Sequence, residues 1–307
     1  MDSKKIFFVA LIVMASGLVS PVLALVVGTI YGLALVHPYR AESQSLAKFL
    51  LQVSVVGLGF GMNLQEVLKV GRAGFLYTAV SIVTVMVLGL LLGRLMRVKP
   101  RASLLITCGT AICGGSAIAA IAPICDAGEE DMAVSLGTIF TLNAVALVLF
   151  PLIGWALHLT QTQFGLWAAL AIHDTSSVVG ASAKYGTQAL AVGTTVKLAR
   201  ALWIIPLALL TAALRRSRTR VKLPWFILFF LLAAAAASYL PKFAAAYAVL
   251  NHLGRTGLTV TLFLIGTGLS RETLRRVGVR PMVQGVLLWF VIATLSLAAI
   301  RSGLIAL

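Results

Sequence analysis

Acidic side chains are what this chain has least of: nine Asp and Glu in 307 residues, against 25 Lys and Arg. Charged residues of both signs make up 11%, where a soluble domain carries about 25%. Too few polar side chains remain to cover a water-facing surface, which excludes an ordinary cytosolic enzyme and a disordered regulator. Cysteine is scarce too. Cys108, Cys113 and Cys125 lie in or beside one apolar run, none with metal-ligand spacing to a histidine. They exclude a disulfide-built secreted domain and read as small packing residues. No Walker loop, HExxH or dinucleotide fingerprint occurs. No cofactor, metal or enzymatic activity is expected.

What is abundant is hydrophobicity, at 60% of residues and a mean hydropathy of +1.01. The class is an all-α polytopic protein of the lipid bilayer. A spanning helix needs about 20 apolar residues. Eleven candidate runs are Ile6–Val19, Pro21–Val36, Ser45–Met62, Gly74–Leu95, Ala102–Ile124, Met132–Leu159, Phe164–Ala183, Leu190–Leu214, Trp225–Leu240, Gly254–Leu269 and Met282–Ile305. The loops are too short for a soluble domain, so residues 1–307 form one transmembrane domain. The first run is short and reads as an accessory helix within 1–20. Pro21 follows the small-residue site Leu18-Val19-Ser20 and disfavours signal cleavage there.

The excess positive charge sits mostly in three loops: Arg94, Arg97, Lys99, Arg101; then Arg215, Arg216, Arg218, Arg220, Lys222; then Arg271, Arg275, Arg276, Arg280. No aromatic residues interleave with them as in a single-strand groove, so nucleic acid is not a partner. They read as cytoplasmic loops of a bacterial inner-membrane protein. All three follow even-numbered runs. Parity then puts the N-terminus in the cytoplasm and the acidic loop Asp126, Glu129, Glu130, Asp131 outside.

Two segments match in order: Gly59-Phe-Gly-Met-Asn-Leu through Val-Gly71, and Gly266-Thr-Gly-Leu-Ser through Val-Gly278. By the same parity they face opposite sides, as the inverted repeats of secondary transporters do.

Two runs carry polar interruptions. In the fifth, Gly114-Gly115-Ser116 is poor context for a continuous helix. A break there would bare the N–H groups of a half-helix to an anion, with Thr110 and Ser116 adding hydroxyls. Close packing of small residues explains the same segment equally well. In the seventh run, Asp174 is the one acid of nine deep in an apolar segment, beside His173 and followed by Thr175, Ser176 and Ser177. Buried ionisable groups mark function by default. The eighth run holds Lys197 and Arg200 one turn apart. Snorkelling to an interface suits Lys197, and Asp174 is the simplest partner for Arg200. In the sixth run Asn143, and in the third Gln52, are the other polar residues of note.

Cys-Gly-Gly-Ser-Ala-Ile-Ala-Ala from Cys113, Ile-His-Asp-Thr-Ser-Ser-Val-Val-Gly-Ala from Ile172, and Lys197-Leu-Ala-Arg200 occur in that order. Together they resemble the YeiH family of bacterial inner-membrane proteins, labelled sulfate exporters. The resemblance implies the fold group of sodium–bile acid symporters and sodium–proton antiporters: inverted five-helix repeats within 21–307, a panel and a core, and crossed discontinuous helices.

The expected function is secondary active transport of a small anion, sulfate or sulfonate-like, by alternating access. Gly114, Gly115, Ser116, Thr110, Thr175, Ser176, Lys197 and Arg200 are the expected substrate contacts. His173, Asp174 and Asn143 are the expected coupling residues, with H⁺ as the natural ion. A cation–proton antiporter is the alternative, weakened because Asp174 is the only membrane carboxylate. A sodium-coupled symporter using Asn143, Gln52 and backbone carbonyls is a further option. An enzyme or sensor built on Ser177, His173 and Asp174 fails on geometry, since the three crowd one segment. The oligomeric state is left open, a homodimer included.

Overall fold

The structure is a computed structural model that describes residues 3–19, 21–35, 39–215, 225–268 and 278–305. All regular structure among the described residues is helical. The helices are α1 (Ser3–Ala15), α2 (Pro21–Ala34), α3 (Arg40–Gly59), α4 (Leu64–Leu95), α5 (Pro100–Ala111), α6 (Gly115–Ile121), α7 (Glu129–Ala156), α8 (Gln161–Ala171), α9 (Thr175–Tyr185), α10 (Thr187–Ala201), α11 (Ile204–Arg215), α12 (Trp225–Tyr239), α13 (Ala244–Gly268) and α14 (Val279–Arg301). Five helical stretches are long and apolar enough to cross a membrane, or six if the bent pair Glu42–Gly59 and Leu64–Arg72 is one span. The chain is an all-α membrane protein. Of the basic clusters, 216–222 and 271–276 lie outside the described residues, as do Ser20 and residues 269–277 of the second repeat segment.

The chain divides into two compact units. The first comprises Met1–Lys69 and Pro224–Arg271, hence α1, α2, α3, α12 and α13. It is held by small residues that let backbones touch. A Cβ on Gly28 of α2 would meet Phe263 O of α13 at 2.2 Å, and one on Gly57 of α3 would meet Gly254 Cα at 2.9 Å. The short α1 is tied on by Phe7, whose ring lies 5.8 Å from that of Tyr31 and 5.9 Å from that of Phe263. Gln52 lies on α3 in this unit, half-buried.

The second unit, Val70–Leu223 and Glu272–Leu307, holds every other candidate site residue. Its centre is α7, whose 28 residues reach about 42 Å at 1.5 Å per residue. At the first end of α7, Lys99 Nζ bonds Glu130 Oε2 at 2.9 Å, and the Ser135 hydroxyl donates to Ala102 O at 3.2 Å. The chain leaves this end at α5 and is back at it when α7 begins. α5 and α6 are therefore the two arms of a re-entrant hairpin. Ile118 of α6 lies alongside Gly109 of α5, 3.1 Å from where a Cβ would stand.

A second hairpin, α8 and α9, enters at the other end of α7. The rings of Phe164 in the first turn of α8 and Tyr185 in the last turn of α9 stack at 3.8 Å. Tyr185 also stacks on Trp155 near the end of α7 and donates to Leu159 O at 2.7 Å. α10 then runs beside α8 in the same direction, from Ala189 near Gly165 to Lys197 near Ile172. Hairpin plus long helix thus occurs twice, in 100–156 and 161–215, with opposite entry. This inversion lies elsewhere than the Gly59 and Gly266 segments. α14 closes the unit, with Gln284 Nε2 donating to Gly89 O at 3.0 Å and Ser103 Oγ at 2.9 Å.

Two expectations are corrected. The fifth and seventh runs do not cross; their helices are discontinuous, but the arms double back. The acidic loop consequently shares a side with the basic loop at Lys99, because Glu130 pairs with it directly. Two hairpins cancel in the parity count, so the expected relation among the three basic loops is unaffected.

Candidate functional site

The hairpin tips meet beside the middle of α7. The first tip turns at Ile112, Cys113 and Gly114. Gly114 has φ 64, a left-handed value at which a side chain is strained. A Cβ there would also stand 3.3 Å from Asp174 Cβ and Ile139 Cγ2. The second tip is extended through Ile172, His173 and Asp174, with ψ 129 at Ile172 and 144 at Asp174.

Four short helix ends therefore point into the apolar interior, and each needs partners. Asp174 is the N-cap of α9. Its Oδ2 accepts from Ser176 N–H at 3.0 Å, from Ser177 N–H at 3.3 Å and from the Ser176 hydroxyl. Asn143 of α7 accepts at one oxygen, Oδ1, from the N–H groups of His173 and Asp174, both at 3.2 Å. Thr175 is buried at the first position of α9.

The opposite ends of the arms are closed by cations. Lys197 Nζ donates to Ile172 O at 2.7 Å and Ala169 O at 3.4 Å, at the end of α8. Arg200 Nε donates to Ala111 O, the end of α5, at 2.7 Å. Its Nη1 donates to Leu170 O at 3.2 Å and Ser81 Oγ at 3.3 Å. One guanidinium thus ties together the C-terminal ends of both entering arms. Lys197 and Arg200 are each 0% exposed.

This overturns two expectations. Lys197 does not snorkel, and Arg200 binds carbonyls, not Asp174. Helix ends left inside the bilayer carry partial negative charge, and backbone carbonyls there must be satisfied within the protein. The planar five-donor fork of arginine can serve two such ends at once.

The first tip is built differently. Gly114 supplies no side-chain cap to α6. Cys113 is buried in this turn, and Ser116 is exposed. Cys108 and Cys125 pack in an apolar cluster with Leu105, Ile118 and Ile121. Ser81, which accepts from Arg200 Nη1, is marked in the sequence only as a small polar residue in an apolar run.

Gly114, Gly115, Ser116, Thr110, Asn143, His173, Asp174, Thr175, Ser176, Lys197 and Arg200 all belong to the two tips or the helices bracing them. Several of their polar atoms are buried with no partner among the described residues: Arg200 Nη2, Asn143 Nδ2, both ring nitrogens of His173 and Thr110 Oγ1. No group of three or more His, Cys, Asp or Glu suited to a metal occurs among the described residues.

The family model described as Conserved hypothetical protein 698 matches residues 6–285. A UPF0324 membrane protein of Bdellovibrio bacteriovorus is 49% identical over 308 residues, covering 98% of this chain and 95% of the relative. The chain belongs to the UPF0324 family of membrane proteins. It is the same family to which the Ile172-His-Asp-Thr resemblance pointed. Further UPF0324 relatives are 51% identical in Bacteroides thetaiotaomicron, over 93% of this chain and 87% of the relative, and 46% identical in Geobacter sulfurreducens, over 96% and 95%. No solved structure matches the chain.

Proposed function

We propose that this UPF0324 protein is a secondary active transporter of a small anion of the sulfate or sulfonate type, coupled to protons. It would act in the bacterial inner membrane with its N-terminus in the cytoplasm. The observation that carries the reading is a surplus of donors. Arg200 Nη2 and Asn143 Nδ2 are buried N–H groups without acceptors. A buried donor left unpaired costs about 1–3 kcal/mol, and an oxyanion is the ligand that supplies acceptors. Charge points the same way. Two buried basic side chains, Lys197 and Arg200, stand against one acid, Asp174. The two N-terminal and two C-terminal helix ends offset one another, each about half a charge. The Arg200 guanidinium stays protonated and is the cationic group of the site.

A cation–proton antiporter is the second reading, favoured by the buried Asp174 alone. Its carboxylate is already bound by three donors of α9, which leaves few acceptors for a metal cation. These site groups all lie within the second unit, so they can travel as one body. That unit is the proposed carrier, and the α13-based unit the proposed scaffold.

The test is flux of labelled sulfate and methanesulfonate in proteoliposomes under imposed pH and sodium gradients. Wild-type protein carries the anion when a pH gradient is applied, and Arg200→Ala loses at least about 100-fold, as befits about 3 kcal/mol for one partner of a buried charged network. Cation flux without anion flux would transfer the assignment to the antiporter.

A further inference from the structure

We propose that Asp174 couples the proton to the anion by competing with it: the carboxylate and the transported anion use the same donors at the N-terminus of α9. This rests on the anion reading of the site. α9 is 11 residues long, and its first turn is a ready anion site. Here the protein fills that site with its own carboxylate. A single oxygen, Oδ2, takes Ser176 N–H, Ser177 N–H and the Ser176 hydroxyl.

A second observation lies at the same tip. Asn143 is 3% exposed, and its Oδ1 is held by the His173 and Asp174 N–H groups. The amide is thereby fixed against the tip, while its Nδ2 has no acceptor among the described residues. An unpaired amide donor thus stands at the tip where an ionisable group supplies the acceptor for α9.

The groups facing Asp174 from its surroundings are few. His173 adjoins it on the same link. α10 contributes Lys197, with Arg200 next to it but turned to the carbonyls of the entering arms, and the first tip contributes Cys113, near both Asp174 and Lys197. α7 presents Asn143, which does not titrate. Asp174 is the only one of these that carries negative charge at neutral pH in its ordinary state.

Ionised, Asp174 occupies the α9 donors and repels an anion. Protonated at the free oxygen Oδ1, it loses its charge, so Oδ2 holds the α9 donors less tightly and the anion can displace it from them, while the new O–H can donate to that anion. The anion enters only with a proton on Asp174, and the two leave together. Proton and anion therefore move in the same direction, and an inward proton gradient drives anion uptake.

The experiment uses the full chain in nanodiscs, with sulfate and methanesulfonate as ligands. In weakly buffered solution the wild type takes up about one proton per anion bound, and above the titration of Asp174 its affinity falls about tenfold per pH unit. Asp174→Asn, which cannot ionise, binds the anion without proton uptake and with a flat pH profile. Ser176→Ala weakens binding at every pH but keeps the slope. If Asp174→Asn does not fold, proton uptake by the wild type decides alone. Anion binding with no proton uptake, or Asp174→Asn retaining the wild-type slope, overturns the coupling role while the anion site stands. No binding of either anion at any pH overturns the anion reading itself.

Discussion

The hairpins α5–α6 and α8–α9 share a plan and differ in how each tip closes its returning helix. In the second, a charged side chain, Asp174, caps α9 through two backbone N–H groups and a hydroxyl. In the first, Gly114 makes the turn and no side chain caps α6. The entering arms are treated alike, since Arg200 binds the ends of both. The symmetry is thus in the backbone. The asymmetry is in the side chains, and it places the single negative charge on one hairpin only. A symmetric pair of charged tips would put two carboxylates within contact distance, given Asp174 Cβ at 3.3 Å from a Cβ on Gly114.

The largest effect tests the plan itself. Exposed positions at the two hairpin bases can be replaced by cysteine, because the three native cysteines are buried. Lys99→Cys and Glu130→Cys should label from the same face with a membrane-impermeant maleimide, and His158→Cys and Lys184→Cys from the opposite one. Labelling of positions 99 and 130 from opposite faces would restore a crossing fifth run.

Breaking the second tip comes next. Asn143→Leu strips the acceptor from two buried N–H groups, at about 1–3 kcal/mol for each group left unpaired. Equilibrium unfolding in mixed micelles should show a loss of at least about 2 kcal/mol, together with loss of anion flux. Breaking the first tip costs less. Gly114→Ala introduces a side chain at φ 64, ψ −125, a sparsely populated conformation costing about 1–3 kcal/mol, and slows flux without abolishing it. Equal losses at the two tips would remove the distinction drawn between them.

The smallest effect is at the base of the first hairpin. Glu130's hydrogen bond and charge hold the Lys99 ammonium above its ordinary pKa, but the pair is exposed, with side chains 66% and 76% accessible. Exposed pairs contribute little. Glu130→Gln should leave the unfolding midpoint and flux unchanged, and should lower the Lys99 titration in an NMR pH series. The sign follows from the pair: a raised folded-state value adds stability below the unfolded pKa, and that addition is lost as pH rises through the folded one.

The residues of the site were legible because polarity is costly inside a membrane. Asp174, Lys197 and Arg200 are conspicuous in apolar runs for that reason alone, and the tips meet where the two polar interruptions were read. The partners were not legible. Arg200 was matched to Asp174 because only side chains have an identity in a sequence. Its actual partners, Ala111 O and Leu170 O, are backbone groups that every residue possesses. The hairpins were missed for a similar reason. Two 11-residue arms and a short link contain as many apolar residues as one crossing of about 20. A signal was present in length: each arm of the second hairpin spans about 16 Å, half the hydrocarbon core, once the break at Ile172 to Asp174 is allowed for.

The sequence by itself determined the solvent and the chemistry: a chain with 11% charged residues belongs in lipid, and its few charges inside apolar runs are its functional candidates. Tertiary structure decided the direction of the chain at each break, and therefore which loops share a side and which carbonyls and N–H groups are left open. Composition acts through the free energy of each residue in its solvent, which is local. Satisfying a helix end depends on what another segment brings to it, and only the folded chain assigns that partner.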